Sequence, residues 1–98
     1  MISRIVKLRF NPGKGDFFFD AFNDVKEKIR GFEGNCYLEA MRDIHNPDIV
    51  FTYSKWESEE ALNKYRKSDV FGAVWPLLKS EFAGKPEAWS VDSLFQLK

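Results

Sequence analysis

The stretch WESEEALNKYRKSDVFGAVWPLL, residues 56–78, joins the end of a strand to the starts of two helices and says most about the architecture. Trp56 ends an apolar strand, and Ser58 is suited to cap the helix that follows. Ser68 and Asp69 are suited to cap the next helix. The large apolar side chains of both helices recur at three- and four-residue spacings, so most of them should face inward. They are Leu62, Tyr65, Phe71, Trp75 and Leu78.

The rest of the chain predicts four strands and one more helix. Alternating apolar, β-branched and aromatic residues predict the strands, which are residues 2–10, 35–43, 49–56 and 87–96. Apolar stripes predict the helices, which are residues 16–29, 59–67 and 69–82. Asp16 is placed to cap the first helix or to lie in its first turn. Pro76 lies inside the third helix, and because an interior proline removes a hydrogen bond, we expect a bend or restart at residues 73–76.

The order of these elements is β-α-β-β-α-β, with the second α unit broken in two. This order predicts one ferredoxin-like α+β domain over residues 1–98, with a four-stranded antiparallel sheet covered by helices on one face. The other face also carries apolar positions, including Ile5 and either Tyr37 or Leu38. An apolar sheet face does not remain in water, so we expect two sheets to pack face to face in a homodimer.

Composition limits the class of protein. Hydrophobic residues make up 44% of the chain and aromatic residues 16%, so a ligand pocket or an oligomer interface should take the surplus rings. Fifteen Lys and Arg balance fifteen Asp and Glu without a basic stripe, which argues against nucleic-acid binding. No stretch approaches the ~20 apolar residues of a membrane helix, so no membrane association is expected. The lone Cys36 precludes an internal disulfide and fits a reducing cytoplasm, where we expect the protein.

The run KSDVF, residues 67–71, follows the strand-ending Trp56 and its acidic, capped helix in an order that resembles the antibiotic biosynthesis monooxygenase superfamily. This resemblance implies a dimeric α/β barrel, in which two sheets pack together and the last strand often reaches the partner. It also implies cofactor-independent oxidation of electron-rich phenols, anthrones or quinols, which form their own carbanion and react with dioxygen. The protein then needs only to bind, desolvate and help deprotonate its substrate.

Two residues are candidates for catalysis. His45 is the only side chain whose ordinary pKa lies near neutrality, and Tyr65 offers a hydroxyl group that could act with His45 or with Arg42. The predicted substrate-binding wall consists of Phe22, Trp56, Phe71 and Trp75. Simpler interpretations stay open, in which the histidine is an exposed turn residue and the rings are ordinary core.

One branch of the superfamily degrades haem, and residues 56–71 are similar to it. The histidine that ligates haem iron in that branch would fall at Trp75, whose indole cannot bind iron. The first strand also lacks the asparagine of that branch. We therefore expect no haem and no other cofactor. No set of Asp, Glu and His has the spacing of metal ligands, so no metal is expected either.

The sequence thus predicts a dimer that binds a small molecule. Its predicted activity is that of a cofactor-independent monooxygenase acting on an aromatic or quinol-like substrate. Two alternatives stay open. A non-catalytic binding or stress-related dimer would keep the fold without the chemistry, and an isomerase or lyase of a small oxygenated metabolite would use His45 as its base.

Overall fold

In a computed structural model that describes residues 1–98, the chain forms a four-stranded antiparallel sheet and three helices. The elements in chain order are β1 (Ile2–Arg9), α1 (Gly15–Arg30), β2 (Asn35–Arg42), β3 (Ile49–Trp56), α2 (Glu59–Arg66), α3 (Asp69–Lys79) and β4 (Glu87–Val91). The strand order in the sheet is β2-β3-β1-β4, and every neighbouring pair is antiparallel. This is the predicted ferredoxin-like α+β fold, which is therefore confirmed.

Serine side chains begin the two helices that follow β3, as the sequence predicted. The Ser58 hydroxyl accepts a hydrogen bond from the backbone N–H of Ala61 at 3.1 Å, which caps α2. The Ser68 hydroxyl accepts one from the N–H of Phe71 at 3.3 Å, which caps α3. Each cap satisfies a donor that the first turn of a helix leaves free, so both helix starts are set by local sequence.

The start of α1 is capped from a distance. The Asp48 carboxylate, at the end of the turn between β2 and β3, accepts hydrogen bonds from the N–H groups of Gly13 at 3.1 Å and Gly15 at 2.9 Å. Gly15 is required here because a Cβ at this position would lie 2.0 Å from the carbonyl oxygen of Pro47. Asp16 lies in the first turn, where its carboxylate pairs with Arg42 at 2.7 Å instead of capping the helix.

Of the bend or restart expected at residues 73–76, the restart does not occur. Helix α3 is continuous from Asp69 to Lys79 with Pro76 inside it, and it ends three residues before the predicted residue 82. Proline cannot donate to the carbonyl four residues earlier, which is that of Gly72. Both residues are exposed, so water can satisfy that carbonyl. The turn after the proline closes normally, with the Ser80 N–H donating to the Pro76 carbonyl.

The last strand is shorter than predicted. Strand β4 ends at Val91, whereas the sequence predicted a strand to residue 96. Its pairing explains the difference, because Val91 lies opposite Ser3 and β1 begins at Ile2. Asp92 falls opposite Ile2, the first residue of β1, so residues beyond Asp92 run past the end of the only neighbouring strand.

The two faces of the sheet have different surroundings. The helix-facing side holds the hydrophobic core, which consists of Leu8, Phe10, Phe18, Val50, Val74 and Leu78. Alternate residues of the strands point to the opposite, outer face. These outer residues include Ile5, Tyr37, Met41, Phe51, Tyr53, Trp89 and Val91. Of the two registers left open by the sequence, the one with Tyr37 outward is thus adopted. None of the three helices has the length and apolar character needed to cross a bilayer.

Candidate functional site

A cavity of about 310 Å³ lies between the helix-facing side of the sheet and the three helices. Fifteen of its twenty lining residues are hydrophobic, so the cavity is suited to an apolar ligand. Five of the six residues predicted for the site line it, and they come from four different elements. They are Phe22 of α1, Trp56 of β3, Tyr65 of α2, and Phe71 and Trp75 of α3.

The aromatic side chains along one wall form a continuous series. The Trp56 and Tyr65 rings stack with centroids 5.0 Å apart, and the Tyr65 and Phe71 rings pack edge to face with centroids 5.4 Å apart. Phe71 in turn stacks on Trp75 at 5.4 Å. Offset and edge-to-face contacts of this kind stabilise aromatic clusters and hold each ring in one orientation. These aromatic contacts therefore fix the four rings as one wall of the cavity.

Trp56 is the most rigid part of this wall. Its side chain is 1% exposed, and its indole N–H donates to the Ser54 hydroxyl at 2.9 Å. Because the only polar atom of the ring already has a partner and Tyr65 stacks on the ring, Trp56 supports the wall and offers a ligand no hydrogen bond. The structure thus places Trp56 as a fixed apolar surface.

Tyr65 differs because its hydroxyl is not used by the protein. No hydrogen bond contributes to its ionisation, and burial alone raises the pKa of Tyr65 to about 12. A phenol with that pKa stays protonated at neutral pH. It can therefore donate a hydrogen bond to a ligand, but it is a poor base.

The polar part of the lining was missed by the sequence analysis. Arg4 of β1 and Arg66 of α2 line the cavity together with Thr52 and Ser54, and no Asp or Glu does so. Burial and, secondarily, the positive charge of Arg66 lower the pKa of Arg4. The sequence of β1 did contain an indication of this polar lining. Arg4 lies between Ile2 and Val6 in the series of alternate residues that face inward. A charged residue at an inward strand position indicates a polar function.

His45 and Arg42 are not brought to the cavity. His45 is exposed in the turn between β2 and β3, and its backbone N–H donates to the Asp43 carboxylate at 3.0 Å. Strand β3 separates this turn from Trp56 by about 23 Å at the usual rise per residue. The Arg42 guanidinium pairs with Asp16 and lies 4.5 Å from the centre of the Phe19 ring. No three His, Cys, Asp or Glu side chains anywhere form a cluster suited to a metal ion.

Comparison with known sequences places the chain in a family. The profile of the family described as antibiotic biosynthesis monooxygenase matches residues 1–75, which include β1 to α2 and most of α3. The chain belongs to this family. The resemblance noted in the sequence is thereby confirmed, and the matched segment contains all five predicted residues that line the cavity. No curated protein matches this family member.

Solved structures agree with this assignment at the level of the fold. A crystal structure of an antibiotic biosynthesis monooxygenase superposes with a TM-score of 0.89 at 17% identity, covering 96% of this chain and 99% of the other. A conserved protein from Methanosarcina mazei Go1 superposes with a TM-score of 0.86 at 23% identity, covering 92% of this chain and 89% of the other. A protein from Mycobacterium tuberculosis superposes with a TM-score of 0.87 at 10% identity, covering 99% of this chain and 98% of the other. Identities this low establish a shared fold only.

Proposed function

We propose that this family member binds a planar, electron-rich aromatic molecule in the cavity and oxygenates it without a cofactor. The observation that carries the proposal is the preformed aromatic wall of Trp56, Tyr65, Phe71 and Trp75 beside a cavity of about 310 Å³. Ligand pockets in proteins are commonly ~300–1,000 Å³, so this cavity suits a small ligand of two or three fused rings.

The proposed reaction converts an activated methylene group of an anthrone-like substrate into a carbonyl group. The methylene loses a proton to give a carbanion, the carbanion reduces dioxygen, and one oxygen atom stays on the carbon while the other leaves as water. The balance is CH2 plus O2 giving C=O plus H2O, so the substrate supplies all the electrons. An apolar cavity favours this step by excluding water, and the protonated Tyr65 hydroxyl can donate to the substrate oxygen that gains charge.

One observation favours a second candidate function. The lining contains no histidine or carboxylate, so no cavity side chain with an ordinary pKa near neutrality can serve as base. A non-catalytic dimer that binds the same class of molecule would need none. The isomerase or lyase hypothesis requires His45 as base, and its position outside the cavity gives that hypothesis no support.

A dioxygen-consumption and binding screen of hydroquinones and anthrones tests the proposal. We expect turnover by the wild-type protein, and a loss of about 2- to 10-fold in kcat/KM for Tyr65→Phe through one lost hydrogen bond. His45→Ala serves as the control and should match the wild type. Binding without turnover would favour the non-catalytic dimer, and no binding by any compound would overturn the cavity as a ligand site.

The proposal includes a homodimer formed through the outer face of the sheet. Trp89 and Val91 of β4 are 44% and 40% exposed at one edge of that face, and Tyr37 and Met41 of β2 are exposed at the opposite edge. The C-terminal residues add Phe95, which is 92% exposed. Apolar area of this extent supports burial against a second copy. A cytoplasmic location stays a prediction from the sequence.

A further inference from the structure

The charged side chains that line the cavity are of one sign. Arg4 and Arg66 are its only charged lining residues, whereas the whole chain has equal numbers of acidic and basic side chains. Arg4 is half-buried and Arg66 is exposed, and apart from Thr52 and Ser54 they are the polar residues of a largely hydrophobic lining.

Neither arginine is neutralised by the protein. The three ion pairs of the chain use Lys14, Arg42 and Lys64, and none includes either of these arginines. The one side-chain hydrogen bond of Arg4 goes from its Nη1 to the Ser90 hydroxyl at 3.0 Å. A guanidinium has five N–H donors, so most of those on Arg4 remain free.

Holding two positive charges together beside apolar surface is unfavourable without an anion. Both burial and the charge of Arg66 act against the charged form of Arg4. Arg66 lies in the last turn of α2, where the helix dipole favours a cation. That effect does not account for Arg4, which lies in the middle of the sheet opposite Ser54 and Ser90.

We propose that the ligand of this cavity is an aromatic carboxylate, with its carboxylate held by Arg4 and Arg66 and its rings against the Trp56 and Tyr65 wall. Guanidinium groups bind carboxylates with paired, charge-assisted hydrogen bonds, and an anion would relieve the repulsion between the two arginines. The inference rests on the proposed function, because it names the substrate class for the same cavity.

The test compares 2-naphthoate with 2-naphthamide, which has nearly the same shape and no charge. Binding of each compound is measured by titration calorimetry to the wild type, Arg4→Gln and Arg66→Gln. Arg9→Gln is the matched control for Arg4 because it removes the same charge from the same strand outside the cavity. Lys67→Gln is the control for Arg66, since it removes the neighbouring charge outside the lining.

We expect the wild type to bind naphthoate about 10-fold or more tightly than naphthamide. Arg4→Gln and Arg66→Gln should each weaken naphthoate binding by about 10-fold, leaving naphthamide binding unchanged. Both control variants should bind naphthoate as the wild type does. Unchanged naphthamide binding also shows that the arginine variants are folded.

The outcomes separate this inference from the proposed function. Equal binding of the two compounds, insensitive to Arg4 and Arg66, would overturn the carboxylate and leave the aromatic cavity standing. No binding of either compound would overturn the carboxylate site, whereas the screen of hydroquinones and anthrones decides the proposed function separately. Arginine-dependent binding of naphthoate, with no oxygen consumption by any substrate, would support the inference and contradict the monooxygenase.

Discussion

Tyr65 stacks on Trp56 and packs edge to face with Phe71, and its hydroxyl group has no hydrogen-bond partner in the protein. The same burial that makes the ring a good core residue raises the pKa of its hydroxyl to about 12. Tyr65 therefore packs in the core and lines the cavity with the same ring. The sequence left both interpretations of Tyr65 open, and its geometry is consistent with both.

The raised pKa makes a prediction about alkaline stability. The unfolded-state phenol ionises near pH 10.0 and the folded one near pH 12, so between these values the folded state holds the proton more tightly. The contribution of Tyr65 to the free energy of unfolding is therefore complete below pH 10 and is lost as the pH rises through 12. Over this window the free energy of unfolding should fall by about 2–3 kcal/mol because of Tyr65.

Urea unfolding at about pH 9 and about pH 11 measures this slope. Lysines also titrate in this range, so the quantity that matters is the difference between wild type and Tyr65→Phe, which share every lysine. Between these two pH values, the free energy of unfolding should fall less in Tyr65→Phe than in the wild type. Identical slopes in the two proteins would show that the Tyr65 hydroxyl ionises as in water.

At the scale of elements, a single carboxylate joins the turn after β2 to the start of α1. Asp48 accepts from two N–H groups of the segment that begins α1, and no side chain within that segment caps the helix. Asp48→Ala should therefore lower the free energy of unfolding by about 1–2 kcal/mol. Asp24→Ala is the control, because Asp24 is exposed on the same helix and should change it by less than about 0.5 kcal/mol. Equal denaturation midpoints for the two variants would contradict the cap.

Local chemistry explains which elements the sequence predicted well. Serine caps and apolar spacings act over three or four residues, so the starts of α2 and α3 could be read directly. The cap on α1 could not, because Asp48 is 33 residues from Gly15 along the chain. The end of β4 depends on where β1 begins, which is also a relation between distant segments.

The site residues also divide into those that local sequence could predict and those that depend on contacts between distant segments. Aromatic residues at helical spacing indicated the cavity wall, because they lie on faces that local periodicity determines. The pairing of Arg4 with Arg66 depends on how α2 packs over the sheet, which no local pattern contains. His45 was predicted from its ordinary pKa alone, without information on where the turn lies relative to the cavity, and it does not line the cavity.

At the scale of the whole molecule, a single chain leaves the outer face of the sheet without a partner. Tyr37 and Tyr53 pack edge to face on it at 5.6 Å, and Lys55 lies over both rings. Trp89 and Val91 continue the apolar surface onto β4, and the unpaired C-terminal residues extend from its end. Burying this surface requires a second copy or another partner of similar shape.

We expect sedimentation equilibrium at micromolar concentration to give about twice the chain mass of 11.5 kDa. Trp89→Glu should shift the protein toward the monomer, because it would bury a carboxylate without a partner in the proposed interface. Leu77→Glu is the matched control, since Leu77 is equally exposed apolar surface but lies on α3, away from the outer face. Removal of residues 92–98, which lie outside every helix and strand, should also weaken the dimer without changing the melting cooperativity of the domain. A wild-type monomer at these concentrations, or a Leu77→Glu protein as dissociated as Trp89→Glu, would rule out the sheet face as the interface.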